Sequence, residues 1–206
     1  MDTDNKKVNL SQLLLDPNNY RFVDAENYVP VAPEDVMDMR VQQRTRNLLL
    51  GKGQENVRDL IVSFRNNGLL YIEAIQVKRL TDKLYMVLEG NRRVATLKYL
   101  QEQYENNNDT VKVNADTFKA ISVKVISGND DRAHLIAMGL HHISGKKKWN
   151  PLNQAQMVND LLTKYGMSED EVCQSLGLSK QMLRRYERTL ALIQSYKQSD
   201  FGDELS

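Results

Sequence analysis

Three things are scarce in this sequence, and each scarcity narrows what the chain can be. It has a single cysteine, Cys173, which excludes an internal disulfide and a cysteine-rich zinc site. It has no excess of one charge: 28 Lys and Arg stand against 27 Asp and Glu. Overall charge therefore neither announces nor excludes a nucleic-acid partner, and only local clustering could make a binding face. It has no apolar run long enough to span a bilayer and no N-terminal stretch of the signal-peptide kind, so the expectation is a cytoplasmic protein with no membrane partner. What is present is 206 residues, enough for one large or two modest domains with a real core. The sequence stops at 201–206 soon after a helical pattern and without a clear terminal element, which suggests a piece trimmed from a longer protein.

The pattern along the chain favours two domains, 1–128 and 129–206. Val8-Asn9-Leu10 reads as a short strand entering a turn, and Asp16-Pro17-Asn18-Asn19 carries turn-closing side chains before Tyr20-Arg21-Phe22 leaves it. From Asp24 to Lys52, Pro30 and Pro33 precede apolar residues at loosely helical spacing, predicting a loop and then one or two helices. Val57, Leu60, Ile61 and Phe64 recur at three- and four-residue steps and predict an amphipathic helix, with Gly68 where a left-handed C-cap is needed. Ile75-Gln76-Val77, the turn Thr81-Asp82-Lys83 and Leu84 to Leu88 predict a hairpin. A helix follows from Val94 to Tyr104, and Ile121 to Val125 predicts a further strand. From Asp131 to near Ser199 the pattern is helical throughout. The expected fold class is α+β: a small mixed sheet with helices, followed by an all-α helix-turn-helix domain.

The most informative segment is the strand-to-helix junction Gly90-Asn91-Arg92-Arg93. A helix start leaves backbone N–H groups unpaired, and two arginines beside them add charge, so an anion is well received there. Glycine lets the chain turn tightly against a ligand, and a guanidinium can grip a phosphate with two parallel hydrogen bonds. For an isolated Gly-X-Arg-Arg, however, pairing with surface carboxylates such as Glu89 is the commoner arrangement.

The surroundings change the weighing. The order helix, Gly68-Leu69-Leu70, strand, turn, strand, Glu89-Gly90-Asn91-Arg92-Arg93-Val94-Ala95 resembles the N-terminal domain of ParB chromosome- and plasmid-partition proteins, whose junction carries a Gly-Glu-Arg-Arg box. Leu15 to Arg21 looks like the family's opening Asn-Pro-Arg segment. Asn91 stands where the family usually has Glu, and Tyr71-Ile72-Glu73 where it usually has Gln-Pro. The resemblance implies the ParB/sulfiredoxin-like fold and binding of CTP or another nucleoside triphosphate, with Mg an optional companion. It places Gly90, Asn91, Arg92, Arg93, Arg21, Glu73, His142 and Lys146 about the nucleotide. Between the domains, His141 to Leu152 holds a histidine pair, a lysine run and the only tryptophan; the stretch before Asn150-Pro151 resembles a third ParB box that also reaches the phosphates. Adjacent histidines point apart on a helix, so no shared metal is expected there, and Trp149 is expected to pack under the next helix.

Sulfiredoxin shares the fold and binds ATP through a related Gly-Cys-His-Arg box, but Asn91 stands at the nucleophilic cysteine, and an amide cannot form thiol intermediates. Nor is there a carboxylate cluster at the spacing of a two-metal nuclease; Glu73 and Glu89 are the nearby acids. No catalytic residue and no metal ligand is assigned, and an enzyme, either a nucleotide hydrolase or a nuclease on the same turn, is the competing class.

In the second domain, Ser168 and Glu171 form a capping box at a helix start. Val172 and Leu176 face inward, Gly177-Leu178-Ser179 makes a turn, and Leu183, Leu190 and Ile193 line the core side of the next helix. Cys173 before the turn and Leu183 after it have the spacing of a helix-turn-helix, although an ordinary helical hairpin shows the same pattern. Ser179, Lys180, Gln181, Arg184, Arg185 and Arg188, with Tyr186 among them, are expected on the outer side. The first four would meet base edges of double-stranded DNA, and Arg185 and Arg188 phosphates. The expectation is a CTP-responsive DNA-binding partition or regulatory factor. In the family the nucleotide switch closes a dimer on DNA, implying a homodimer, although a dimerising C-terminal domain is not evident here; a role in transcription, mobile elements or phage defence fits equally.

Overall fold

The computed structural model describes residues 2–22, 25, 28–69, 73–107, 112–127, 131–143 and 149–197. The chain divides into two compact units, Met1–Asn18 with Pro30–Gly128, and Asn19–Val29 with Asn129–Ser206. The segment 19–29 groups with the second unit, although no composition shift marks it in the sequence.

The first unit is built on a five-stranded mixed sheet. Strand β1 (Asp2–Val8) and β2 (Leu13–Leu14) come first, then helix α1 (Met39–Leu50), α2 (Arg58–Asn67), β3 (Ile75–Arg79), β4 (Tyr85–Glu89), α3 (Asn91–Asn107), α4 (Ala115–Lys119) and β5 (Ile121–Ser127). The strand order is β1-β5-β3-β4-β2. β1 is antiparallel to β5 and β3 to β4, whereas β3 with β5 and β2 with β4 run parallel. Ile75, Val77, Ile121, Val123 and Val125 are buried, while Gln76, Lys78, Ser122 and Lys124 between them are only half-buried, so one face of the sheet carries the core.

The hairpin, the helix ending before Gly68 and the strand from Ile121 stand where the pattern placed them. Gly68 has φ 72° and ψ −170°, so the positive φ is used without a full left-handed cap. The opening strand differs: it ends at Val8, and Leu10 lies in a 3-10 turn. Asn9 and Gln12 explain this, because the Asn9 side chain accepts the Ser11 N–H at 2.9 Å and Gln12 reaches back to the Asn9 N–H at 2.8 Å. The strand itself was missed because an edge strand pairs on one side only, and Asp4 to Lys7 are exposed and show no apolar alternation.

The second unit comprises α5 (Asp131–His142), α6 (Pro151–Thr163), α7 (Glu169–Leu176) and α8 (Lys180–Lys197), with a 3-10 turn at Tyr20–Phe22. Its core is continuous through Leu135, Met138, Met157, Leu161, Val172, Leu176, Leu183 and Leu190. Each such side chain contributes about 1.5–3 kcal/mol on leaving water. Gly139 sits at a close helix approach: a Cβ there would stand 2.7 Å from both Leu176 Cδ2 and Met157 Cε. The α+β class is thus observed, with eight α-helices among the described residues.

Candidate functional site

The strand-to-helix turn is prepared by a bulge. Gln76 is paired with Glu89 but Val77 with Val87, leaving Leu88 as an extra residue, and both Val87 and Leu88 are buried. A bulge bends its strand and re-aims the chain beyond it, here Gly90 at φ 100°. A Cβ on Gly90 would lie 3.2 Å from Arg93 Nη2 and from Ile75 Cγ1. The Val94 N–H donates to the Gly90 carbonyl at 3.0 Å, so the N–H groups of Asn91, Arg92 and Arg93 precede the helical ladder.

The three side chains after Gly90 go to different places. Asn91 turns inward and is 5% exposed; its Oδ1 accepts the Asp16 N–H at 2.9 Å and its Nδ2 donates to the Val87 carbonyl at 3.0 Å. Its amide is committed to the fold, leaving its backbone N–H for any ligand. Arg92 donates from Nε to the Asn56 carbonyl at 2.9 Å and pairs with Asp59 at 2.8 Å. That is the surface pairing the sequence allowed, although with Asp59 rather than Glu89, and it is worth about 0–1 kcal/mol. Arg93 lies beside Gly90 with its side chain 15% exposed. Its Nη1 donates to the Glu73 carbonyl, and its Nη2 is 4.0 Å from Glu73 Oε2, beyond hydrogen-bond reach. Nη2 is buried with no hydrogen-bond partner. Burial pushes this guanidinium down from its ordinary value, against the opposing pull of Glu89 and Glu73.

Gly90, Asn91, Arg92, Arg93 and Glu73 therefore come together in the first unit. Arg21 and His142 belong to the second. The His142 ring is 5% exposed and lies flat on Trp149, centroids 4.3 Å apart at 11°, so a ligand could meet it only if that stack opened. Trp149 is buried in the core, as expected of it. Lys146 lies outside the described residues.

Two titratable groups escaped sequence reasoning, Asp16 beside Asn91 and Lys98 farther along α3. Burial raises the Asp16 carboxyl to about 6, countered by the Asn18 N–H it accepts at 2.9 Å. Lys98, on α3, is pushed down to about 8 by burial and by neighbouring Arg46, and its Nζ lies 3.3 Å from the Leu10 carbonyl. Both sit in stretches whose local pattern says turn and helix surface, and only packing half-buries them.

In the second unit, α7 begins with the capping box of Ser168 and Glu171. It ends at Gly177, whose φ 65° and ψ 33° are left-handed, with the Leu178 N–H returning to the Cys173 carbonyl at 2.9 Å. Cys173 is buried and burial raises its thiol, which makes it unreactive. Ser179 then caps α8, its Oγ accepting the Met182 N–H at 3.1 Å. Ser179, Gln181, Met182, Arg184, Arg185 and Arg188 line a concavity of about 620 Å³. All three arginines are exposed, and among the described residues none forms an ion pair. Lys180 differs, being held by Asp170 at 2.8 Å. Tyr186 corrects the expected outer face: it is 8% exposed, and its hydroxyl donates to Gln154 Oε1 at 2.6 Å. Three and four residues from Leu183 and Leu190, it falls on the apolar stripe.

Among the described residues no three His, Cys, Asp or Glu side chains group so as to hold a metal ion, and no helix is long and apolar enough to cross a membrane.

No protein-family model and no curated protein sequence matches the chain. Among solved structures it is similar to a chromosome-partitioning protein. Two of the matching structures are of C-terminally truncated ParB from Caulobacter crescentus, one complexed with CTP-γ-S and one with the centromeric parS site. The first is 18% identical with TM-score 0.35, over 94% of this chain and 83% of that one. The second is 17% identical with TM-score 0.44, over 93% and 76%. At these values the likeness says nothing of what this chain binds.

Proposed function

We propose that this chain is a ParB-like, nucleotide-responsive DNA-binding protein. The observation that carries the reading is the α8 face: Arg184, Arg185 and Arg188, exposed and without acidic partners among the described residues, beside Ser179 and Gln181 at the start of a helix that follows a three-residue turn. In this reading α7 and α8 act as a helix-turn-helix within a domain spanning 129–206. The first turn of α8 reads base edges and the later arginines meet phosphates.

A nucleoside triphosphate, CTP in the first instance, fits the Gly90 turn of a 1–128 domain. The buried Arg93 Nη2 lacks an acceptor, the N–H groups of Asn91 to Arg93 precede the ladder, and Gly90 leaves room that a Cβ would fill. Arg93 and those N–H groups would hold phosphate oxygens; Arg92 would join them on leaving Asp59. The ligand supplies a polyanion whose presence or absence can select between arrangements of the protein.

The test is duplex binding by fluorescence anisotropy over a salt series, with labelled CTP, ATP and GTP titrated separately and products analysed after incubation. Salt-dependent duplex binding and saturable uptake of a triphosphate are expected, and Arg93→Ala should weaken uptake at least tenfold, about 1.4 kcal/mol. A chain that holds no duplex would make the helical unit an interaction module. Turnover at catalytic rates would favour the hydrolase class.

A further inference from the structure

Strand β1 closes one side of the first unit's sheet. It is paired along all 7 of its residues, from Asp2 with Ser127 to Val8 with Ile121, but among the described residues with β5 alone. An edge strand aims the N–H and C=O groups of alternate residues away from the sheet, where another strand can take them up. Asp4, Asn5, Lys6 and Lys7 are exposed, and no proline interrupts the strand. The opposite edge, β2, consists of Leu13 and Leu14 only.

Lysine on an edge strand commonly keeps other strands away, so the order of the charges decides what β1 accepts. Asp4 and Lys6 flank Asn5, and by alternation both stand on the face that carries the core, paired with Val125 and Val123. A parallel second copy related by a two-fold axis would set Asp4 against Asp4 and Lys6 against Lys6. An antiparallel copy is related by an axis perpendicular to the sheet, which keeps both core faces on one side. Centring that axis on Thr3, Asp4, Lys6 or Lys7 opposes two acids or two lysines, and like charges directly opposite are unfavourable. Centring it on Asn5 sets Asp4 opposite the second copy's Lys6, twice by symmetry. Lys6 already donates to the Tyr85 hydroxyl at 2.7 Å, and an ammonium has further protons to give.

We propose that the outer edge of β1 is a self-association surface, on which a second copy of this chain adds its own β1 antiparallel, in the register that sets Asn5 opposite Asn5. The two sheets then become one. Main-chain hydrogen bonds hold the pair, and the Asp4–Lys6 contacts choose direction and register. The surface lies wholly in the sheet unit and requires neither nucleotide nor DNA.

Sedimentation velocity of the full chain over a concentration series, without nucleotide, is expected to show a monomer–dimer equilibrium. Asp4→Lys should weaken it about tenfold, because two attractions become two repulsions. Asp4→Lys combined with Lys6→Asp opposes unlike charges again and should return the dissociation constant to within about threefold of wild type. Cysteine cross-linking reads the register. Asn5→Cys should form a covalent dimer under mild oxidation, because at the axis the two Cα atoms fall within the roughly 7 Å that a disulfide spans. Lys7→Cys should not, since it lies about 14 Å or more from its equivalent in the second copy. Cys173 is buried and stays out of the reaction. Circular dichroism checks that each variant is folded; if Asp4→Lys is not, the cross-linking at exposed Asn5 decides alone. A chain that is monomeric throughout the series overturns the proposal. So does a dimer indifferent to Asp4→Lys, or cross-linking of Lys7→Cys as readily as Asn5→Cys.

Discussion

Asp16 shows how one residue can carry a cost that its own sequence context hides. Its carboxyl titrates near 6 in the fold against an ordinary 3.8 because burial penalises the anion. The folded state therefore binds the proton more tightly than the unfolded chain. The contribution to stability is best below about pH 4, declines from there to about pH 6, and stays at its full cost above. Asp16→Asn removes the charge and keeps an oxygen for the Asn18 N–H. It is expected to stabilise the first unit by about 1–3 kcal/mol at pH 7.5 and by almost nothing at pH 4. Urea denaturation at the two pH values measures the difference, and an equal gain at both would show that charge is not the cause. Asn91 makes the complementary point. Its place in a Gly-X-Arg-Arg box suggested a ligand contact, but its amide bridges Asp16 and Val87, a role that depends on partners 75 and 4 residues away.

Among the elements, α8 carries the sharpest expectation. Lys180 spends its charge on Asp170 at the surface, whereas Arg184 and Arg188 have no such partner among the described residues. Arg188→Ala should weaken binding to all duplexes alike and lower the salt slope by about 1, and Lys180→Ala should change the slope less. Anisotropy titrations between low and physiological salt distinguish them; equal slopes in wild type and Arg188→Ala would remove the phosphate role. This face was largely legible in advance, because Leu183 and Leu190 mark the inner stripe and the arginines fall opposite. Tyr186 was misplaced because it lies on the edge of that stripe, where an amphipathic ring can face either way; its bond to Gln154 turns it inward. The hairpin of β3 and β4 was equally legible from alternation and its turn, but the Leu88 bulge was not, since a bulge is a mismatch between two strands.

For the whole molecule, the division into two units predicts local responses to core damage. Leu176 is fully buried and meets the Gly139 approach. Leu176→Ala is expected to cost the helical unit about 2–5 kcal/mol. Hydrogen exchange should rise in α5 to α8 and remain unchanged in β3 and β5; matched increases in both would show that the units open as one.

The sequence by itself determined the α+β class, the capping box of α7, the hairpin, the arginine turn and the basic stripe of α8. Each depends on residues within a few positions of one another, where periodicity and side-chain chemistry act directly. Tertiary structure alone decided that a polar strand at 2–8 pairs with β5, that Arg92 meets Asp59 while Arg93 keeps a buried donor free, and that Tyr20 packs with the helices. Those outcomes depend on which distant groups are brought together and how deeply water is excluded around them, and no local spacing encodes either.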